Sequence, residues 1–305
     1  MRNEDPIIEL EQLTRRFGET EAVNGLSLRV AKGRCFVLLG RNGAGKTTAI
    51  QCLLNLLAPT SGRVRLFGMD HAREEVATKR RLSYVPDQIA LYPWMTVEET
   101  FRYLASFREV WNREKELALV RQFGLSPSQR VGTLSKGQRT QVGLIAAVCP
   151  EPELLILDEP TSGLDPLVRR EFIETVIGAY QEADPENRTI LVSTHLINEF
   201  EGLIEEFAIM DRGKAVMVMQ ADAARQHFQR VRARFQADAP AIALAGAHEV
   251  QRRGREVELV VAGDTEPLLR TLRTHRPEDV QVEALTLEEI LMTCLRRSGY
   301  ERAIV

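Results

Sequence analysis

Cysteine is scarce, aromatic residues are few and no long apolar run occurs; the first and last of these each remove a class of protein. The four cysteines of the 305-residue chain, Cys35, Cys52, Cys149 and Cys294, form no CxxC pair. That scatter argues against a disulfide framework or a zinc site and for reduced, buried thiols of a cytosolic protein. Five histidines are equally dispersed. No apolar stretch approaches the roughly 18 residues of a membrane span. The first ten residues, MRNEDPIIEL, are acidic and lack the apolar centre of a signal peptide. The expectation is a chain that does not cross a membrane by itself. An excess of one charge is missing too: 40 Lys and Arg against 43 Asp and Glu leave a net −3. That balance lacks the basic footprint of a general nucleic-acid binder, so no nucleic-acid partner is expected.

What is present is an alternation of short β-rich runs and helical patterns. Ser27–Val30 and Cys35–Leu39 read as strands, followed by a helix over Thr47–Leu57 that Pro59 ends. Val64–Phe67 and Leu82–Val85 read as further strands. Thr96-Val97-Glu98-Glu99 has the capping-box form and opens a helix through Phe107, with largely helical sequence on to Pro150. Leu154–Leu157 and Ile190–Ser193 are fully apolar strands of the parallel-sheet kind. Phe207–Met210 and Ala215–Met219 suggest a hairpin around Asp211-Arg212-Gly213-Lys214. The pattern predicts an α/β core with a mostly parallel sheet. Beyond about Gln220 an arginine-rich segment leads into a hairpin over Gln251–Val261, a helix near Glu266–His275, a strand at Val280–Ala284 and a helix from Leu287. The expected division is therefore 1–220 for the main unit and 221–305 for a small α+β appendix. No internal repeat is evident.

Two features carry chemistry. Gly40-Arg41-Asn42-Gly43-Ala44-Gly45-Lys46-Thr47 matches the phosphate-loop pattern GxxxxGK followed by Ser or Thr, between an apolar strand and a helix. Glycines let successive backbone N–H groups of Gly40, Asn42, Gly43, Ala44 and Gly45 turn inward around phosphate oxygens, and the helix N-terminus adds partial positive charge. Lys46 would reach the β- and γ-phosphates of ATP, Thr47 would ligate Mg²⁺ and Thr48 would add a donor. The second feature is Leu154-Leu155-Ile156-Leu157-Asp158-Glu159, a buried strand ending in two acids. Such acids sit at the carboxyl edge of the sheet, where α/β ligand sites form. Asp158 would hold Mg²⁺, and Glu159 would deprotonate the attacking water.

Thr133-Leu134-Ser135-Lys136-Gly137-Gln138 resembles the LSGGQ signature of ABC ATPases, with Lys136 in place of the first glycine. Thr161-Ser162-Gly163-Leu164-Asp165 resembles that family's D-loop, and Ser193-Thr194-His195 its switch histidine. Over about residues 5–220 the motifs occur in family order. The resemblance implies a P-loop NTPase (RecA-like) core with a helical signature subdomain, about 88–150, and an antiparallel β subdomain. It implies Phe17 stacking on adenine and a catalytic role for His195. It also implies two cassettes packed head to tail, with Ser135, Gly137, Gln138 and Asp165 of one serving the nucleotide on the other. The family's alignment puts Asp87 of Tyr84-Val85-Pro86-Asp87-Gln88 at its Q-loop glutamine, while side-chain chemistry favours Gln88; both stay open as metal contacts.

LSKGQ, DEPTSGLDP and the appendix look like single-cassette bacterial ATPases of ABC-2 type exporters. That implies a multi-span permease partner, a cytoplasmic and peripheral location, and a second cassette, identical or not. The apolar, aromatic Leu91-Tyr92-Pro93-Trp94-Met95 lies where the family docks onto its membrane subunit. A soluble ABC ATPase acting on ribosome or DNA and a low-turnover nucleotide-dependent module are the alternatives.

Overall fold

A computed structural model of the chain describes residues 6–162, 164, 169, 173, 180, 184–239 and 247–297. It divides into two compact units, Met1–Ala215 and Val216–Val305, with the division inside one strand.

The first unit holds two sheets. One is four-stranded and antiparallel, in the order β2-β1-β4-β5, from β1 (Pro6–Phe17), β2 (Thr20–Ala31), β4 (Ser61–Leu66) and β5 (Met69–Asp70). The other has the order β10-β9-β3-β8-β7-β6. Its members are β3 (Cys35–Leu39), β6 (Leu82–Val85), β7 (Leu154–Asp158), β8 (Thr189–Thr194), β9 (Glu206–Asp211) and β10 (Lys214–Gln220). β9, β3, β8, β7 and β6 run parallel. Every residue of β3, β7 and β8 is buried, as their unbroken apolar runs require of strands covered on both faces. β10 returns beside β9 through Arg212-Gly213, whose φ values of 47° and 77° are both left-handed, as a two-residue type I′ turn needs.

β3 is central, and the chain leaves it through a loop into α1 (Lys46–Leu53). It then runs through the antiparallel sheet and α2 (Glu75–Arg80) to the edge strand β6, and works back through β7 and β8 to β3. The loops after β3, β7 and β8 therefore lie side by side at one sheet edge, the position where open α/β sheets build ligand sites. Between β6 and β7 come α3 (Val97–Ala105), α4 (Arg113–Gln122) and α5 (Lys136–Val148). Full capping boxes open α3, at Thr96 and Glu99, and α5, at Ser135 and Gln138. Ile89 seats against Gly143 of α5, where an added Cβ would lie 2.4 Å from its Cδ1.

Three elements of the first unit depart from the sequence reading. The helix expected over Thr47–Leu57 stops at Leu53, because Asn55 turns into the left-handed region with φ 55° and bonds sideways to Glu75 at 3.1 Å. The helix expected through Phe107 ends at Ala105. The strand expected at Ser27–Val30 is the end of the much longer β2, paired with a β1 that was not foreseen.

In the second unit β11 (Phe228–Arg234), β12 (Ala247–Arg253), β13 (Glu256–Ala262) and β14 (Asp279–Ala284) form an antiparallel sheet in the order β12-β13-β11-β14. Among the described residues three helices accompany it: α6 (Ala221–His227), α7 (Glu266–Thr274) and α8 (Leu287–Arg297). Val231, Ala233, Val257, Leu259 and Val261 form a core with Leu268 and Leu272 of α7. The alternate residues of β11 are ion-paired, Arg230 to Glu258 at 3.1 Å and Arg232 to Glu283 at 3.5 Å. Arg230, Arg232 and Arg234 of the arginine-rich segment lie on the polar side of this strand.

Candidate functional site

The loop from β3 to α1 is shaped by close backbone approach. A Cβ on Gly40 would stand 2.6 Å from the Met210 carbonyl oxygen, and one on Gly45 (φ 101°) 2.2 Å from that of Ala22. At Gly43, also left-handed with φ 83°, an added Cβ would meet nothing within 4 Å. The loop is thus clamped at both ends and open at its crest, the shape of an anion cradle. No side chain caps α1 at Gly45, so its leading N–H groups remain available to a ligand.

Lys46 begins α1 with its side chain only 5% exposed. Its Nζ donates to the Gly40 carbonyl at 2.6 Å and to that of Arg41 at 3.3 Å, and pairs with Glu159 Oε1 at 3.0 Å. Thr47 donates from Oγ1 to Asp158 Oδ1 at 3.2 Å. Asp158, the last residue of β7, is 1% exposed, and its Oδ1 also receives the Ser193 hydroxyl from β8. Its Oδ2 is buried without a hydrogen-bond partner. Burial pushes the Asp158 carboxyl pKa up, the hydroxyls of Ser193 and Thr47 pull it back, the Glu159 charge adds to the rise and that of Lys46 opposes it.

Glu159 follows in the left-handed region with φ 47°, its N–H bonded to the Ser193 carbonyl at 2.9 Å. A non-glycine residue there costs on the order of 1 kcal/mol or more, a strain that clusters at active sites. The turn brings its carboxylate between Lys46 and His195, whose Nδ1 lies 2.8 Å from Oε2. Lys46, Thr47, Asp158, Glu159 and His195, spread over about 150 positions of sequence, thus converge at one edge because β3, β8 and β7 are neighbours.

The remaining residues singled out from sequence lie apart from this cluster or outside it. Asn42 and Gly43 are exposed on the loop, Ala44 is buried beneath it, and Thr48 sits half-buried in the first turn of α1. Ser135 is the N-cap of α5; its Oγ accepts from the Gln138 N–H at 3.1 Å while Gln138 Oε1 accepts from the Ser135 N–H at 3.0 Å. Lys136 points to solvent, and a Cβ on Gly137 would come 3.0 Å from Leu164. Phe17 ends β1 with 47% of its surface exposed and Arg15 over its ring at 4.6 Å. Asp87 is half-buried with Oδ1 sequestered and unbonded, whereas Gln88 is exposed. Asp165 lies outside the described residues. Ser193 was not assigned a role from sequence; its signal is its alternation with His195 at the end of a buried strand.

Among the described residues no three His, Cys, Asp or Glu side chains form a metal cage on their own. The donors at hand are hard oxygens: the free Asp158 Oδ2, the Thr47 hydroxyl and the unbonded Asp87 Oδ1. They suit a small divalent cation that takes its other ligands from phosphate and water.

The family model described as ABC transporter matches residues 23–162. The bacitracin transport ATP-binding protein BcrA of Enterococcus faecalis is 37% identical over 216 residues, 69% of this chain and 68% of its own. The uncharacterized ABC transporter ATP-binding protein YdbJ of Bacillus subtilis is 28% identical over 284 residues, 92% of this chain and 91% of its own, so that likeness includes the second unit. A solved ATP-binding subunit of an ABC transporter, 27% identical, superposes with a TM-score of 0.65 over 72% of this chain and 92% of its own. With a glycine-shaped loop, a buried lysine and two acids joined at the edge of a P-loop NTPase sheet, this chain belongs to the ABC transporter ATP-binding family and is an ATP-hydrolysing enzyme.

Proposed function

We propose that the chain powers a separately encoded, multi-span membrane permease, in the direction of export, through ATP-driven head-to-tail pairing of two cassettes. The observation that carries this is the Lys46–Glu159–His195 cluster beside Thr47 and Asp158, a complete hydrolytic half-site. The backbone of Gly40, Asn42, Gly43, Ala44 and Gly45, with Lys46 and Thr48, grips the phosphates, and Phe17 stacks on adenine. Thr47 and Asp158 would hold Mg²⁺, with Asp87 or Gln88 completing its surroundings. When bound, the cation neutralises phosphate charge. Glu159 takes the proton of the attacking water and His195 holds Glu159 in place.

Ser135, Gly137, Gln138 and Asp165 serve the nucleotide on the second cassette. Ser135 is exposed and bonds locally to Gln138, not to its own phosphate loop, so it is available to a neighbour. ATP then joins two copies, and hydrolysis releases them, a population shift driven by ligand. A transport role is supported by similarity to a bacitracin transport protein, and the direction of export by the resemblance of LSKGQ and DEPTSGLDP to exporter ATPases. We assign the cassette to 1–220, with its helical subdomain over about 88–150, and a supporting or regulatory role to 221–305. Among the described residues no helix is long and apolar enough to cross a membrane, which fits a peripheral subunit on the cytoplasmic face. The test is co-purification from membranes: recovery of a multi-span protein supports the reading, and recovery of ribosomes or DNA in its place overturns it.

The permease would meet the helical region. A cavity of about 760 Å³ opens between α2 and the segment after α3, lined among others by Val76, Arg80, Phe107, Arg108 and Val110. Trp94, Tyr92, Tyr103 and Phe107 make a continuous exposed aromatic chain in that order, with successive ring centroids 4.8, 5.6 and 5.0 Å apart. Arg108 spends one N–H on the Leu82 carbonyl at 3.2 Å, and burial lowers its pKa. An apolar segment carrying an acid would suit both features. Trp94, 64% exposed, can be changed without opening the core. Trp94→Glu is expected to cut permease-stimulated ATPase activity several-fold, about the loss of one interface anchor of 1–2 kcal/mol. Binding of a fluorescent ATP analogue stays at the wild-type level; loss of that binding would count against a docking role.

A further inference from the structure

We propose that Ser193 is a positioning residue for the metal-bound nucleotide: its hydroxyl holds one oxygen of the Asp158 carboxylate so that the other is presented to the cation. This rests on the reading of Asp158 as a metal residue given above.

Strand register sets the geometry. Ser193 of β8 stands opposite Asp158 of β7, in two parallel strands whose every residue is buried, so the two side chains leave the sheet on one face. The Ser193 hydroxyl donates to Asp158 Oδ1, and Thr47 of α1 donates to the same oxygen at 3.2 Å. Oδ2 is left buried without a hydrogen-bond partner. The Lys46 ammonium pairs with Glu159, and among the described residues Asp158 takes part in no ion pair. A buried carboxylate with one bare oxygen and no ion pair is costly until a ligand completes it. The terminal carboxylate torsion is broad and roughly two-fold, so the backbone alone does not decide which oxygen meets that ligand. The hydroxyls decide it. Of the two, Thr47 must also turn its oxygen to the metal, whereas Ser193 is wholly buried on a central strand and has Asp158 as its one side-chain partner among the described residues.

The same residue sets the second acid with a different atom. Its carbonyl accepts the Glu159 N–H at 2.9 Å, at the left-handed turn that carries the Glu159 carboxylate between Lys46 and His195. One residue thus places both acids, the metal residue through its side chain and the base through its backbone. Deleting the side chain separates the two effects: Asp158 loses its hold on Oδ1, and Glu159 keeps its anchor. Groups that orient a metal residue without touching the metal are worth about 10–100-fold in metal affinity. A residue that merely fills the core would weaken nucleotide binding with and without metal alike.

The test is Ser193→Ala in the full chain, which deletes one oxygen and keeps the backbone, beside Ser193→Thr, which keeps the hydroxyl. Mn²⁺ is titrated into the protein–ADP complex and free Mn²⁺ is read by electron paramagnetic resonance, with ADP affinity measured separately in EDTA. The expected result for Ser193→Ala is Mn²⁺ affinity reduced about tenfold, with metal-free ADP affinity unchanged; Ser193→Thr holds the wild-type Mn²⁺ affinity. In ATP turnover the Mn²⁺ concentration for half-maximal rate rises by a similar factor, and the maximal rate falls by less. Unchanged Mn²⁺ affinity in Ser193→Ala overturns the role of Ser193. So does an equal loss of ADP affinity in EDTA, a Ser193→Thr variant as weak as Ser193→Ala, or a fall confined to the maximal rate. If the wild-type ADP complex itself takes up no more Mn²⁺ than ADP alone, the metal reading of Asp158 fails and Ser193 falls with it.

Discussion

Glu159→Gln is expected to slow ATP turnover by a factor of about 10²–10⁴ while nucleotide binding survives. Glutamine preserves the shape that fits between Lys46 and His195 but cannot accept a proton at working pH. The bound state then accumulates, because release depends on hydrolysis. Sedimentation with Mg²⁺ and ATP should show a dimer of the variant where the wild type returns to monomer. Phosphate release at the wild-type rate would remove Glu159 from the mechanism.

Lys46→Ala should weaken ATP binding by about 10–100-fold, the loss of one charge-assisted bond of about 1.5–3 kcal/mol, at about 1.4 kcal/mol per tenfold. The residue does more than meet phosphate. Its ammonium ties the Gly40 and Arg41 carbonyls to Glu159, so without ligand it holds the loop against β7. Alanine leaves Glu159 Oε1 with no cation, and the two substitutions touch one network. Their effects on binding should therefore not add: Glu159→Gln in the Lys46→Ala background should change affinity less than it does alone. Calorimetry with ADP reads both numbers, and wild-type affinity in Lys46→Ala would be fatal to the phosphate-loop assignment.

The parts of the site that were legible in sequence are those that sit on short contiguous spacings. The phosphate loop between β3 and α1, and the acids that end β7, announce themselves because turn glycines and a buried strand both have strong local patterns. Ser193 did not, since it reaches Asp158 through the register of a neighbouring strand, and register is a property of the sheet. The fold shows the same divide. β1 escaped notice because register shifts break its alternation, among them one near Gln12, whose φ is 47° and whose carbonyl lies against Gly62. β11 escaped for another reason: arginines at alternate positions read only as an arginine-rich segment, although Val231 and Ala233 kept the period of two. Asn55 ended α1 early through a backbone turn that the apolar pattern of Leu53, Leu54, Leu56 and Leu57 conceals.

The serine that opens α5 uses its oxygen lone pair, not its hydrogen, to satisfy the Gln138 amide. An oxygen that accepts in this way keeps its own proton to give. The cap that stabilises the helix and a bond offered outward to an arriving anion are therefore compatible in a single atom. An aspartate at Ser135 would secure the helix equally well and greet that anion with charge of the same sign.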